Sequence, residues 1–192
     1  MIKAELMWVA NITANAPLSK QARNIGITNF AELRDYVRAI PYGRTSNRGD
    51  LSLVFHENCG TCSSKHALVK AIAGENDIAD LKLIIGMYKM TKQNTPNIGD
   101  VIENSPLSYI PEAHCYLKYA GQRIDITAAD ANFERIQADL LEEQTIQPLQ
   151  IGSYKVNYHQ QYLKDWIKKE EIPLTFEQVW AIREACIKNL SN

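Results

Sequence analysis

The chain has 192 residues, room for one domain. Hydrophobic residues make up 45% and charged residues 22%, an ordinary globular composition, and four cysteines are too few for a disulfide framework. A formal net charge of -1, with the basic residues scattered, provides no overall field for nucleic acid or an anionic membrane surface. No stretch approaches the ~20 apolar residues of a membrane span. Met1 to Ala10, with Lys3 and Glu5, has no apolar run of signal-peptide length, so a cytoplasmic location is expected.

In chain order, residues 1–27 are moderately apolar without rhythm. Thr28 is expected to cap a helix over about 29–39, with Phe30, Leu33, Val37 and Ile40 on one stripe. Pro41 to Gly49 is a polar turn region, and Leu51, Leu53 and Phe55 form a short strand or lead into a helix. Asn58 to Cys62 reads as a turn, followed by a helix from Ser63 to Ala73 ended by Gly74. Leu81 to Met90 reads as a buried strand. Residues 91–113 carry three prolines and no period, a loop long enough to imply a function. His114–Tyr119 and Arg123–Thr127 are expected as a hairpin turning at Ala120-Gly121. An acidic helix over 129–144, two strands within Ile146–Val156 and a short helix over Tyr162–Lys169 follow. Thr175 and Gln178 form a capping-box signature for a last helix reaching about Leu190. The order of elements indicates an α+β fold.

The chemistry centres on Cys62. At the start of a helix its sulfur lies in the positive field of the first turn, which favours thiolate over thiol. The ordinary alternative is a small buried hydrophobe. The hairpin adds a second reason. With the turn at Ala120-Gly121, Thr127 faces His114 and Asp125 is its diagonal neighbour on the same sheet face, within side-chain reach. A carboxylate there can accept from one ring nitrogen and leave the other to take the thiol proton. The backbone N–H of Cys62 is a natural oxyanion donor, with His56 or Asn58 as candidates for a second. Tyr109 and Glu112 are expected near the entrance of the cleft. Arg44 and Arg48 are more simply read as solvated than as substrate contacts.

These segments resemble the transglutaminase-like superfamily, the wider group of papain-type thiol enzymes. The resemblance rests on Gly60-Thr61-Cys62-Ser63-Ser64-Lys65-His66-Ala67-Leu68, Ala113-His114-Cys115-Tyr116-Leu117 and Arg123-Ile124-Asp125-Ile126-Thr127. Cys59-Gly60-Thr61-Cys62 is also similar to the Cys-Gly-Ser-Cys of papain, whose second cysteine is the nucleophile. The match covers about residues 56–127. Ser63 stands where an aromatic residue is common, and the spacing from His114 to Asp125 is short for a transglutaminase, so reaction type stays open. The resemblance implies a papain/transglutaminase-like core of about 28–160, with a helix packed on an antiparallel sheet and a helical extension over about 160–192. It implies a Cys62-His114-Asp125 triad acting through a thioester, as hydrolase or acyltransferase. No cofactor or metal is called for. The expected partner is a peptide, protein or small amide substrate, with neither nucleic acid nor a membrane involved.

Two other chemistries use the same cysteines. In a thioredoxin-like redox site Cys59 would attack and Cys62 resolve, with Ile110-Pro111 in the part of the cis-proline. That reading leaves His114 and Asp125 without a task. A zinc site would draw on Cys59, Cys62, His66 and one of His114 or Cys115, since those last two point to opposite faces of one strand. A non-catalytic interaction domain is the remaining possibility.

Overall fold

The computed structural model describes residues 7–190; most of the N-terminal segment read above as lacking a leader lies outside the described residues. The fold is α+β. Helices α1 (Pro17–Asn24) and α2 (Phe30–Ala39) come first. Asn29 caps α2, its side chain accepting from the Glu32 N–H, while the N–H and hydroxyl of Thr28 donate to the Glu32 carboxylate. The cap therefore sits one residue after Thr28, and Thr28 takes the reciprocal place. Phe30, Leu33 and Val37 are buried, as their spacing predicts.

Residues 53–56 form a one-turn helix, α3 (Leu53–His56), so the strand alternative for this segment is not adopted. Helix α4 (Cys62–Glu75) follows. Thr61 and Ser64 form its capping box, which sets the start at Cys62. Gly74 lies inside its last turn rather than beyond it. Every residue from Cys62 to Val69 is buried, so the start of α4 is enclosed on all sides.

The sheet comprises β1 (Lys82–Met90), β2 (Ile110–Tyr119), β3 (Gln122–Ile124) and β4 (Leu140–Ile146), in the order β3-β2-β1-β4 with every pairing antiparallel. Side chains alternate across it. Leu83, Ile85, Met87, Ala113, Cys115 and Leu117 join the core around α4. Ile84, Tyr88, Met90, Ile110 and Tyr116 join a second core on the opposite face. With both faces covered, β1 reads as a continuous apolar run.

The second face is covered by α6 (Ser153–Lys169) and α7 (Phe176–Asn189), through Leu163, Trp166, Val179 and Cys186. The segment expected as a C-terminal extension is thus a full layer of the fold. The Thr175–Gln178 capping box opens α7 as expected. Two expectations fail here. Only α5 (Glu134–Gln137) is helical within 129–144, and residues 140–146 form β4. Leu, Glu and Gln favour helix, but a half-exposed edge strand needs only a partner ladder, which β1 supplies. The two strands expected within 146–156 are absent, replaced by a 3₁₀ turn (Pro148–Ile151) and the first turn of α6. Burial of His159, Leu163 and Trp166 at helical spacing extends that helix back to Ser153. Among the described residues no helix is long and apolar enough to cross a membrane.

Candidate active site

The positions of Cys62, His114 and Asp125 follow from two local features. The capping box fixes Cys62 as the first residue of α4, where helix geometry leaves its N–H without an intrahelical acceptor. The hairpin turn at Ala120 (φ 48°) and Gly121 (φ 81°) uses two left-handed residues, and Tyr119 faces Gln122. Strand β3 pairs only with Leu117 to Tyr119. Because β3 stops at Ile124, Asp125 leaves the ladder and turns onto His114, whose Nε2 lies 2.8 Å from Asp125 Oδ2. The other ring nitrogen remains for Cys62, whose sulfur and the imidazole act on each other's charge.

Asp125 is held on its second oxygen as well. Oδ1 accepts from the N–H (2.9 Å) and hydroxyl (2.6 Å) of Thr127. His66 lies behind it, Nε2 3.5 Å from Asp125 Oδ1. His66 is fully buried: Nδ1 bonds the Cys62 carbonyl at 2.6 Å and Nε2 accepts from the Ile126 N–H at 2.8 Å. Burial pushes its pKa down to about 4, so it is a neutral strut between α4 and the Asp125 segment. Lys65, also fully buried, donates to the carbonyls of Ile40 and Thr127, each at 2.7 Å. Gly60 makes room for that side chain, since a Cβ there would stand 2.8 Å from Lys65 Cγ.

The charges support a thiolate–imidazolium pair. Burial alone would raise the Cys62 thiol. The Lys155 ammonium, the His114 charge and hydrogen bonds from the His114 ring and the Cys115 N–H outweigh it, bringing the thiol to about 6. His114 is shifted the opposite way. Burial disfavours its charge, but Asp125 and Cys62 hold its pKa well above the ordinary value. Asp125 stays ionised, held well below the usual carboxylate range against the cost of burial, chiefly by His114.

Lys155 is a site residue that no sequence pattern singles out. It lies in the first turn of α6, is half-buried, and donates to Ser63 Oγ at 2.6 Å with its Nζ 4.0 Å from Cys62 Sγ. A strand reading of residues 146–156 conceals it. On a helix, Lys155 projects toward the start of α4. Glu112 is a second revision. Instead of standing at a cleft entrance, it is buried in a two-pronged ion pair with Arg183 at 2.6 and 2.8 Å. Burial opposes its charge, but Arg183, with help from His159, holds the carboxyl down to about 2.

Two cavities open from Cys62. One, about 60 Å³, is lined by Lys155, Arg44, Arg48, Arg183 and Trp180. The other, about 180 Å³, is lined by His114, Asp125, Tyr88, Thr95 and Asn132. Tyr42, Cys62, Glu112 and Ile187 border both. His56, Asn58 and Tyr109 line neither cavity. His56 is exposed at the end of α3, and Asn58 is exposed and accepts from the Tyr36 hydroxyl. Tyr109 packs against Trp166, whose indole N–H donates to it at 3.0 Å. None of the three therefore stands with Cys62 in the cavities that open from it.

The alternative chemistries fare as follows. All four cysteines are free. Burial, then Glu57, raises the Cys59 thiol, which is opposite to what an attacking cysteine needs. The segment before Cys59 is helical, and the Ile110–Pro111 bond is trans. Among the described residues no three His, Cys, Asp or Glu side chains are arranged to hold a metal ion. Comparison with protein-family models, with curated proteins and with solved structures finds no match.

Proposed function

We propose that the chain is a thiol-dependent hydrolase or acyltransferase with a papain/transglutaminase-like core, acting on an amide-type bond. The observation that carries this reading is the relay from Asp125 through His114 to the thiol of Cys62 at the first position of a capped helix. Sγ of the thiolate attacks the acyl carbon, and the carbonyl π pair moves onto oxygen. The N–H of Cys62 and the Lys155 ammonium face the developing oxyanion. The tetrahedral species collapses by breaking the C–N bond, and His114 gives its proton to the leaving nitrogen. The resulting thioester is cleaved by water or a second amine, whose proton His114 takes up as the C–S bond breaks. Asp125 fixes the ring orientation and stabilises the imidazolium without taking the proton itself.

The test is the pH dependence of iodoacetamide alkylation at each cysteine, read by mass spectrometry, in the wild type, Cys59→Ala and His114→Ala. The expected result is labelling at Cys62 that persists down to about pH 6, survives Cys59→Ala and collapses in His114→Ala. Fast labelling at Cys59 that ignores His114 would overturn the proposal in favour of disulfide chemistry. Slow labelling at both cysteines would overturn it in favour of a structural pair.

A further inference from the structure

The two cavities beside Cys62 differ in size and in charge, and the direction of the reaction assigns them. His114 protonates the leaving nitrogen, so the leaving amine lies on the His114 side, in the cavity of about 180 Å³. The acyl half must then lie in the smaller cavity, of about 60 Å³.

The walls of the smaller cavity carry four cations, Arg44, Arg48, Lys155 and Arg183, against two carboxylates, Glu112 and Glu184. Both carboxylates are already engaged. Glu112 is taken by Arg183. Glu184 is shared by Arg44 at 2.9 Å and Arg183 at 2.5 Å. Arg48 forms no ion pair among the described residues, although Glu184 is near enough to act on its charge. Partial burial and then the charges of Arg44 and Arg183 work against its guanidinium, so an anion there would relieve like-charge crowding. Among the described residues Lys155 has a hydroxyl and the sulfur as its hydrogen-bond partners, and no carboxylate.

We propose that the Arg48 side of the cleft is an anion subsite for the acyl half of the substrate, so that the preferred acyl group ends in an oxyanion, carboxylate or phosphate. The guanidinium of Arg48 pairs with that group, and Lys155 and Arg44 supply the surrounding field. A neutral acyl chain leaves that charge unfilled. This inference rests on Cys62 being the nucleophile proposed above, and its test is arranged so that the two can fail separately.

The probes are iodoacetate and iodoacetamide, which deliver a carboxylate and a neutral amide of the same size to a thiol. Alkylation of Cys62 is followed in the whole chain at pH 7, with glutathione as the reference thiol. The expected result is an iodoacetate-to-iodoacetamide rate ratio at Cys62 about tenfold above that of glutathione, and saturation in iodoacetate. In Arg48→Gln the ratio falls by about fivefold, the upper range for one partly solvated ion pair. Protection by malonate or succinate identifies a carboxylate subsite, and protection by inorganic phosphate at lower concentration identifies a phosphate one. A wild-type ratio at or below that of glutathione overturns the subsite, whatever the behaviour of the variant. A high ratio that Arg48→Gln leaves unchanged also overturns it, because the preference would then come from His114 and Lys155 alone. Fast labelling by iodoacetamide alongside either result leaves the Cys62 nucleophile standing, whereas failure of both probes at Cys62 removes the nucleophile and the subsite together.

Discussion

Lys155→Met removes the ammonium beside the sulfur and keeps a chain of similar length. Nζ stands 4.0 Å from Cys62 Sγ. At that separation two unit charges interact by roughly 4 kcal/mol at an effective dielectric of about 20 and by roughly 1 kcal/mol in bulk water. At about 1.4 kcal/mol per pKa unit, loss of Lys155 should raise the thiol by about 1 to 3 units. Lys155 is half-buried and the site opens through the small cavity, so the middle of that range is expected. A thiol near 6 is about 90% thiolate at pH 7, and one near 8 is about 10% thiolate. Iodoacetamide alkylation of Cys62 at pH 7 should therefore slow about tenfold in Lys155→Met and recover by about pH 9. Lys155→Arg, which keeps the charge, should shift the profile by less than about one unit. Circular dichroism of each variant checks that α6 is retained. If Lys155→Met is folded and its alkylation midpoint stays within about half a unit of wild type, the ammonium does not set the thiol's acidity, and the electrostatic account of the site is wrong.

Other outcomes follow from the neighbouring contacts. Asp125→Asn should lower the His114 pKa and so raise the Cys62 alkylation midpoint by about one unit or more, because the imidazolium loses its anion. Glu112→Gln leaves a buried guanidinium short of its two-pronged partner and should cost about 3 kcal/mol in urea unfolding, toward the low end for a broken buried pair since Glu184 remains bound to Arg183. Glu112 is held at about 2 in the fold against ~4.3 unfolded, and Asp125 is lowered as well. Their contribution should be complete above about pH 4.3 and should drain away as pH falls toward 2, giving a loss of unfolding free energy across that window that Glu112→Gln flattens. Gly86 faces His114 across the β1–β2 ladder, and a Cβ there would stand 2.7 Å from Tyr116 Cε1. Gly86→Ala should displace the Tyr116 ring stacked 6.0 Å from His114 and lower thermal stability by about 1–3 kcal/mol; an unchanged melting temperature would show that Tyr116 moves freely.

Much of this site is legible in the amino-acid sequence because its determinants are local. The apolar spacing after Cys62 places a helix start beside it, and Ala120-Gly121 sets the hairpin that brings His114 and Asp125 near each other. Those are short-range rules, and they place three side chains within a few residues of where they act. The strands β1 and β2 and the last helix are legible for the same reason, through a buried apolar run, a hairpin signal and a capping box.

The segments that depart from expectation are those whose conformation depends on distant partners. Leu140 to Ile146 carries helix-favouring residues and becomes a strand because β1 has an open edge to pair with. Residues 153–161 become helix because His159, Leu163 and Trp166 bury a stripe on the sheet. That second departure conceals Lys155, since only a helical backbone carries its ammonium to the start of α4. The burial of Glu112 against Arg183 joins residues 71 positions apart, and no pattern within either segment announces it. By itself, then, the sequence determined the α+β class, a helix starting beside Cys62 and the hairpin that brings His114 and Asp125 near each other, each a consequence of backbone rules acting over a few residues. Only the tertiary structure decided which cations surround the sulfur and which side of the cleft is positive, because those depend on how the 41–49 loop, α6 and α7 come together at the start of α4.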